Sequence, residues 1–304
     1  MSTGPLPDLF PGFESHSIEL SGGKLYCRTV GNGPALLLLH GYPQSHVMWH
    51  KVAAPLAEHF TLYLVDLPGY GQSDIPPLSA DHHAYSKRAM AKAMVELMHH
   101  FGHDAFFVAG HDRGGRVAYR MALDFPETVR RVAVMDILPT YDYWQKMDRT
   151  FALKVYHWAF LAQPAPFPEG LISASPRRYL DHTLASWTAT RDLSAFSNEA
   201  LAHYRQNFSR PERVAATCED YRAGATVDYE DDRADFEAGR KITAPLLALW
   251  GAAGIASSAS TPLDTWAKWA ISVEGTGIDS GHFLPEEAPR ETLLNMKKFF
   301  ISNT

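Results

Sequence analysis

Three residues of this chain have the types and the order needed for a two-step displacement: Asp112, Asp136 and His282. Asp112 sits in FFVAGHDRGGRVAYR, Phe106 to Arg120, where an apolar run ends at Gly110 and a helical pattern follows two glycines. Gly110 and Gly114 flank Asp112 two residues away on each side. Glycine, any residue, nucleophile, any residue, glycine is the pattern of the nucleophile elbow, a sharp strand-to-helix turn that lifts one side chain above a sheet. The tip of such a turn is strained, and small neighbours let strand and helix pack closely. Here the tip is a carboxylate. It cannot usefully acylate itself on an ordinary ester, but it can attack a saturated carbon and expel a leaving group, giving an alkyl ester of the enzyme. Water activated by a histidine base then attacks that ester at the Asp carbonyl. His282, in SGHF, is placed for this step, and Asp136, at the end of VRRVAVMD, would hold the imidazole and stabilise its charged form.

Each residue also has a plain structural reading: a turn aspartate, a helix-capping aspartate, a surface histidine. The chain order of nucleophile, acid and late histidine, each after a strand, is that of the α/β-hydrolase triad and favours the chemical reading. A competing acid position after LLALWG, in the loop Gly251 to Ile255, contains no carboxylate, which leaves Asp136. HGYP, His40 to Pro43, follows an early apolar run. The backbone N–H groups of Tyr42 and Arg113 are the expected oxyanion hole, stabilising charge on the Asp112 carbonyl oxygen. Arg113 follows the nucleophile directly, and Arg116 sits one helical turn on, on the same face. Two guanidinium groups there form a fork suited to a carboxylate, so the substrate is expected to be an acid with its α-carbon facing Asp112. Their charge also favours the ionised nucleophile. The alternative is that they pair with Asp112 or with surface acids.

These side chains require strand ends to hold them. HSIELSGGKLYCRTVGNG reads as a hairpin around Ser21-Gly22-Gly23. PALLLLHGYP and TLYLVDLPGYGQSD read as strands buried on both faces, as in a parallel sheet. VMWHKVAAPLAEHF and SKRAMAKAMVELMHHFG read as helices, the second stopped by Gly102. From Pro139 to about Arg240 no buried strand is evident. KVYHWAFLAQ, LASWTATRDLSAF, EALAHYRQNF and the stretch around CEDYRAGATVDYE look helical, and PAPFPEG looks like a proline-rich connection. Alternation resumes with ITAPLLALWG, TPLDTWAKWA, ISVEGTGI and the final helix APRETLLNMKKFF. The expected fold is α/β, a mostly parallel sheet flanked by helices, with a core of residues 1–138 and 241–304 and a helical cap at 139–240. Sites in such sheets lie beyond the carboxyl ends of the strands.

Bulk properties narrow the function classes. The chain has 304 residues, 46% hydrophobic, with a formal charge of -6 and no basic block, so no nucleic-acid footprint is present. No apolar run approaches a membrane span. The opening MSTGPLPDLFPGFE lacks the basic start and apolar run of a signal peptide, and the two cysteines, Cys27 and Cys218, suggest no disulfide framework. A cytoplasmic location is the expectation. The pairs His82–His83 and His99–His100 read as surface residues, not metal ligands, and no metal or cofactor is expected.

With HGYP, GHDRGGR, Asp136 and SGHF in view, the chain resembles the haloacetate dehalogenases, the fluoroacetate dehalogenases in particular, over nearly its whole length. GHDRGGR is the most specific string, because related haloalkane dehalogenases and epoxide hydrolases share the elbow but not the arginine pair. The resemblance implies hydrolysis of a halogenated carboxylate, fluoroacetate to glycolate and fluoride, by a homodimer. It also implies a halide site of His, Trp and Tyr, falling here on His157, Trp158 and Tyr221. An imidazole N–H, an indole N–H and a phenol O–H can together replace the hydration shell of departing fluoride. An epoxide hydrolase would use the same triad but would leave two arginines beside a neutral substrate. A catalytically silent binding protein on the same fold predicts a damaged triad, and this one is intact.

Overall fold

The apolar runs become strands of one eight-stranded sheet in the computed structural model, which describes residues 6–254 and 262–301. The strands are β1 (Glu14–Leu20), β2 (Gly23–Val30), β3 (Ala35–Leu39), β4 (Thr61–Val65), β5 (Phe106–His111), β6 (Val129–Met135), β7 (Leu246–Gly251) and β8 (Val273–Ile278). Their order across the sheet is β1-β2-β4-β3-β5-β6-β7-β8. The hairpin strands β1 and β2 are antiparallel, β2 joins β4 antiparallel, and every pairing from β4 to β8 is parallel. All residues of β3 and β5 are buried, as expected of strands covered on both faces. The order reverses around β3, so the ends of β3, β5 and β6 lie side by side, and residues that follow them in sequence meet above the sheet.

Residues between β6 and β7 add no strand to the sheet and form a run of helices from Thr140 to Glu237. Local chemistry divides these and other helices more finely than periodicity suggests. VMWHKVAAPLAEHF is a 3₁₀ turn, His46–Trp49, and a separate short helix, Ala53–Ala57. Pro55 lacks an N–H and cannot lie inside a longer helix, so a new one starts just before it. KVYHWAFLAQ splits likewise into Arg149–Lys154 and His157–Leu161. PAPFPEG is only partly a connection, since Pro168 sits in the first turn of the helix Phe167–Ser173. LASWTATRDLSAF is helical only to Trp187. Thr188 Oγ1 then donates to the carbonyls of Ala185 and Asp192, and the Asp192 carboxylate accepts from Ser194 and Thr190. These side-chain bonds to the backbone favour a turn over continued helix.

Of the histidine pairs, His83, His99 and His100 are exposed, but His82 is half-buried and bonds Glu219 at 2.6 Å. Cys27 and Cys218 are both buried and free. Among the described residues no helix is long and apolar enough to cross a membrane.

Candidate active site

Asp112 stands at the junction of β5 and the helix Asp112–Asp124, with φ at 47°. That left-handed backbone is costly for a residue with a side chain, and it persists because packing leaves no alternative. A Cβ on Gly114 would lie 2.3 Å from the His40 carbonyl oxygen, and one on Gly41 would lie 2.4 Å from Asp112 Cβ. The glycines therefore let the loop after β3 press against the elbow. That loop delivers the Tyr42 amide, which donates to Asp112 Oδ1 at 2.8 Å. His40 fixes its path: Nδ1–H donates to the Gly41 carbonyl, and Nε2 accepts the Leu67 amide. Tyr42 is thus one expected oxyanion donor in position. The Arg113 amide lies in the first helical turn, where N–H groups lack an intrahelical acceptor, but no bond from it to Asp112 is found.

Asp136 follows β6 and also has positive φ, 49°. Its Oδ2 accepts His282 Nδ1–H at 2.6 Å and its Oδ1 accepts the Gly251 amide at 3.1 Å. A Cβ on Gly254 would sit 2.4 Å from Asp136 Oδ1, so the loop after β7 leaves room for the Asp136 carboxylate where it could have supplied one of its own. Ile255 lies outside the described residues. His282 Nε2 is buried without a hydrogen-bond partner, 3.8 Å from Asp112 Oδ2. The expected triad residues are therefore brought together, and the imidazole has its lone pair on the nitrogen nearer the nucleophile.

Several residues that the sequence did not single out hold this imidazole. His111 Nε2–H donates to the His282 carbonyl at 2.8 Å, and the His282 amide donates to the Trp187 carbonyl at 2.9 Å. One carboxylate, Glu287, accepts the amides of Ala189, Gly281 and Phe283, each at 2.8 Å. It ties the His282 loop to the inserted helices. The Trp187 ring packs on His157, His282 and Tyr42, with centroids at 4.4, 5.3 and 5.9 Å. Adjacency to Asp112 was the only available signal for His111; nothing in LASWTAT marks Trp187.

Burial disfavours the Asp112 anion, but the charges of His282, His111, Arg113 and Arg116 outweigh it and bring its pKa below the ordinary value. Burial also lowers His282, yet the bond and charge of Asp136 and the charge of Asp112 raise it above 6.5 overall. His157 is pushed down to about 3, first by burial and then by the neighbouring cations, so it is neutral at pH 7. Tyr221 stays protonated, its pKa raised by burial and the charge of Asp112.

The structure brings His157, Trp158 and Tyr221 into one cluster. Tyr221 lies 5.7 Å from the His157 ring and 5.6 Å from Trp158. The Tyr221 hydroxyl and His157 Nδ1 are buried without partners. Beneath them lie the two arginines, both fully buried. Arg113 is not a free half of a fork. Its Nε and Nη2 bond the Asp220 carboxylate at 2.9 and 2.7 Å, and only Nη1 is unpaired. Arg116 meets no carboxylate among the described residues. Its Nη1 donates to the Leu138 carbonyl and Thr140 Oγ1, both at 3.0 Å, and its Nε is unpaired. Its guanidinium packs against the rings of Trp158 and Tyr143, at 4.4 and 4.9 Å, and those two rings contact each other at 4.5 Å. Unpaired buried polar atoms are costly. Here they come from five residues around one strained carboxylate, which is an arrangement suited to a small polar ligand.

The profile of the α/β-hydrolase fold family matches residues 34–289, and the chain belongs to that family. It is a hydrolase of the branch that holds dehalogenases and epoxide hydrolases. The fluoroacetate dehalogenase of Burkholderia sp is 40% identical, covering 96% of this chain and 95% of its own. The soluble epoxide hydrolase of Corynebacterium sp. (strain C12) is 33% identical, covering 94% and 96%. Among solved structures, a Nostoc sp PCC 7120 chain described as an α/β hydrolase is 46% identical with a TM-score of 0.93, covering 96% of this chain and 99% of its own. A Pseudomonas aeruginosa chain described as an epoxide hydrolase is 42% identical with a TM-score of 0.90, covering 99% and 98%.

Proposed function

We propose that this protein hydrolyses haloacetates, fluoroacetate to glycolate and fluoride, with residues 139–240 as the cap over the site. The observation that carries the reading is Arg116: a guanidinium, 1% exposed, one helical turn from the nucleophile and without a carboxylate partner among the described residues. A buried cation of this kind is unfavourable until an anion joins it. The substrate carboxylate would bind Arg116 and the free Nη1 of Arg113, setting the α-carbon against Asp112. Asp112 Oδ2 attacks that carbon in line with the carbon–halogen bond. The bonding pair leaves with the halide toward His157, Trp158 and Tyr221. His282 Nε2 then takes a proton from water, whose oxygen adds to Asp112 Cγ. Oδ1 becomes the oxyanion, held by the Tyr42 amide. Collapse expels the glycolate oxygen, which takes the proton back from His282, and the Asp112 carboxylic acid left behind releases its remaining proton to solvent to restore the carboxylate. The family likeness extends the proposal to a cytoplasmic homodimer.

The 33% relationship to an epoxide hydrolase supports a second reading with the same triad. One experiment separates them: fluoride and chloride release from haloacetates, set against diol formation from styrene oxide. Diol without halide would replace the haloacid reading.

His282 must be neutral to act as base, and its pKa lies above 6.5 in the free site. In the ester Asp112 carries no charge, so Asp136 is what holds the imidazole pKa up, and the rate of ester hydrolysis should fall as pH drops through it. Asp136→Asn keeps the shape but removes the charge that raises it. The acid limb of single-turnover hydrolysis should then move to lower pH, while the rate on the plateau falls about a hundredfold or more. An unmoved limb would assign it to another group.

Trp158→Phe keeps a flat ring under Arg116 and deletes the indole N–H. Fluoride concentrates charge and depends on donors more than chloride does. Losing one charge-assisted bond costs about 1.5–3 kcal/mol. kcat/KM should fall one to two powers of ten for fluoroacetate and far less for chloroacetate. An unchanged ratio of the two would remove Trp158 from the halide site.

A further inference from the structure

Asp220 is a carboxylate with four side-chain hydrogen bonds near the site, and the mechanism above leaves it without a role. It lies on the helix Pro211–Ala225 and is fully buried. Arg113 Nε and Nη2 bond its two oxygens at 2.9 and 2.7 Å, and Nη2 also reaches its backbone carbonyl at 2.7 Å. Tyr70 O–H donates to Oδ2 at 2.7 Å, and Lys87 Nζ bonds Oδ1. Lys87 is itself held from the other side, with Asp228 accepting its backbone amide at 2.7 Å and lying 3.4 Å from Nζ. One helical turn beyond Asp220, a Cβ on Gly224 would come within 3.1 Å of Arg113 Nη2, so the guanidinium is confined on that side too. Its remaining neighbours are the rings of Tyr221 and Trp158, at 4.4 and 5.2 Å.

The two arginines therefore differ in kind. Arg113 has its charge offset by a bidentate carboxylate and keeps one unpaired nitrogen in a fixed direction. Arg116 bonds only neutral oxygens and retains its charge. Two uncompensated guanidinium groups would hold a small anion tightly before and during reaction alike, which does nothing for the chemical step. One cation and one oriented donor would hold it less tightly and in one pose. We infer that Asp220 is a positioning residue: it aims Arg113 Nη1 and cancels its charge, so that Arg116 alone balances the substrate carboxylate. Tyr70 and Lys87 keep Asp220 in place. The inference rests on the haloacid reading.

The test uses the full chain. Asp220→Asn keeps the shape, loses the charge and loosens Arg113. Its kcat on chloroacetate should fall roughly tenfold to a hundredfold, because small misplacements of a reacting carbon are costly. Its KM should not rise. Acetate, a carboxylate without a leaving group, should become a tighter competitive inhibitor by about fivefold or more, since a second net positive charge now faces it. A residue that served only packing would lower thermal stability and the active fraction, leaving KM and acetate inhibition as in the wild type; that result overturns the inference. Tyr70→Phe removes one donor to Asp220 and leaves the charge in place. It should lower kcat more modestly with acetate inhibition unchanged, and it carries the test alone if Asp220→Asn does not fold. Wild-type kinetics in Tyr70→Phe would then overturn the inference. Failure of the haloacid reading shows separately, as a wild type that releases no halide, and takes this inference with it.

Discussion

His282→Asn protein mixed with chloroacetate should gain the mass of a carboxymethyl group, located on Asp112. Attack by Asp112 needs no proton transfer, and the variant keeps the elbow, the Tyr42 amide and both arginines. Hydrolysis of the ester does need a base, and His282 Nε2 is the unpaired nitrogen beside Asp112 Oδ2. Removing a general base slows its step by about two to four powers of ten, so the ester accumulates while halide is released once per site. Intact-mass spectrometry reads the adduct, and peptide mapping places it. In wild-type protein given one turnover in labelled water, the label should enter the Asp112 carboxylate, because water adds at Cγ. Turnover by the wild type with label appearing directly in glycolate, and no adduct on the variant, would exclude the covalent route.

Arg116→Met should abolish most activity on haloacetates while leaving the fold intact. Truncating one partner of a desolvated charge pair costs roughly 2–5 kcal/mol, or about one and a half to three and a half powers of ten in kcat/KM. Arg116 is the cleaner of the two arginines for this purpose, since among the described residues it has no carboxylate partner to strand. Arg113→Met would leave Asp220 with only Lys87 and Tyr70, and breaking a buried pair of this kind destabilises by about 3–5 kcal/mol. Its loss of activity should come with a lower melting temperature. The wild type should also turn over haloacetamide far more slowly than haloacetate. Equal rates on acid and amide, or an Arg116 variant with undiminished kcat/KM, would rule out a carboxylate clamp.

Much of this candidate site is legible in the sequence, because its parts sit in short, chemically loaded strings. The elbow reads from two glycines around Asp112, and the glycines are required locally by the close approach of the β3 loop. Asp136 and His282 read from their places after apolar runs, and absence of an acid after β7 pointed to Asp136, whose bond to His282 the structure contains. The helical insertion was legible as an interruption of the strand–helix alternation. Its inner boundaries were not: Pro55, Pro168 and the Thr188–Asp192 turn break helices through single side chains that a periodic pattern averages over.

What the sequence determined by itself is the set of local chemistries: a carboxylate at a strained turn, an imidazole late in the chain, two arginines one helical turn apart. What only the tertiary structure decided is which charges cancel. Asp220 precedes Tyr221 and lies 107 residues from Arg113, and no spacing rule joins them. Lys87 reaches the same carboxylate across 133 residues. Trp187 accepts the His282 amide directly, and Glu287 ties the neighbouring amides of Ala189, Gly281 and Phe283 together across nearly a hundred residues. Pairing of this kind depends on how the inserted helices settle on the strand ends, and burial makes it decisive: in a dry interior a charge that finds a partner is quiet, and one that does not is left to bind. Arg113 and Arg116 look alike in GHDRGGR, and only the fold makes one of them a positioned donor and the other a cation in want of an anion.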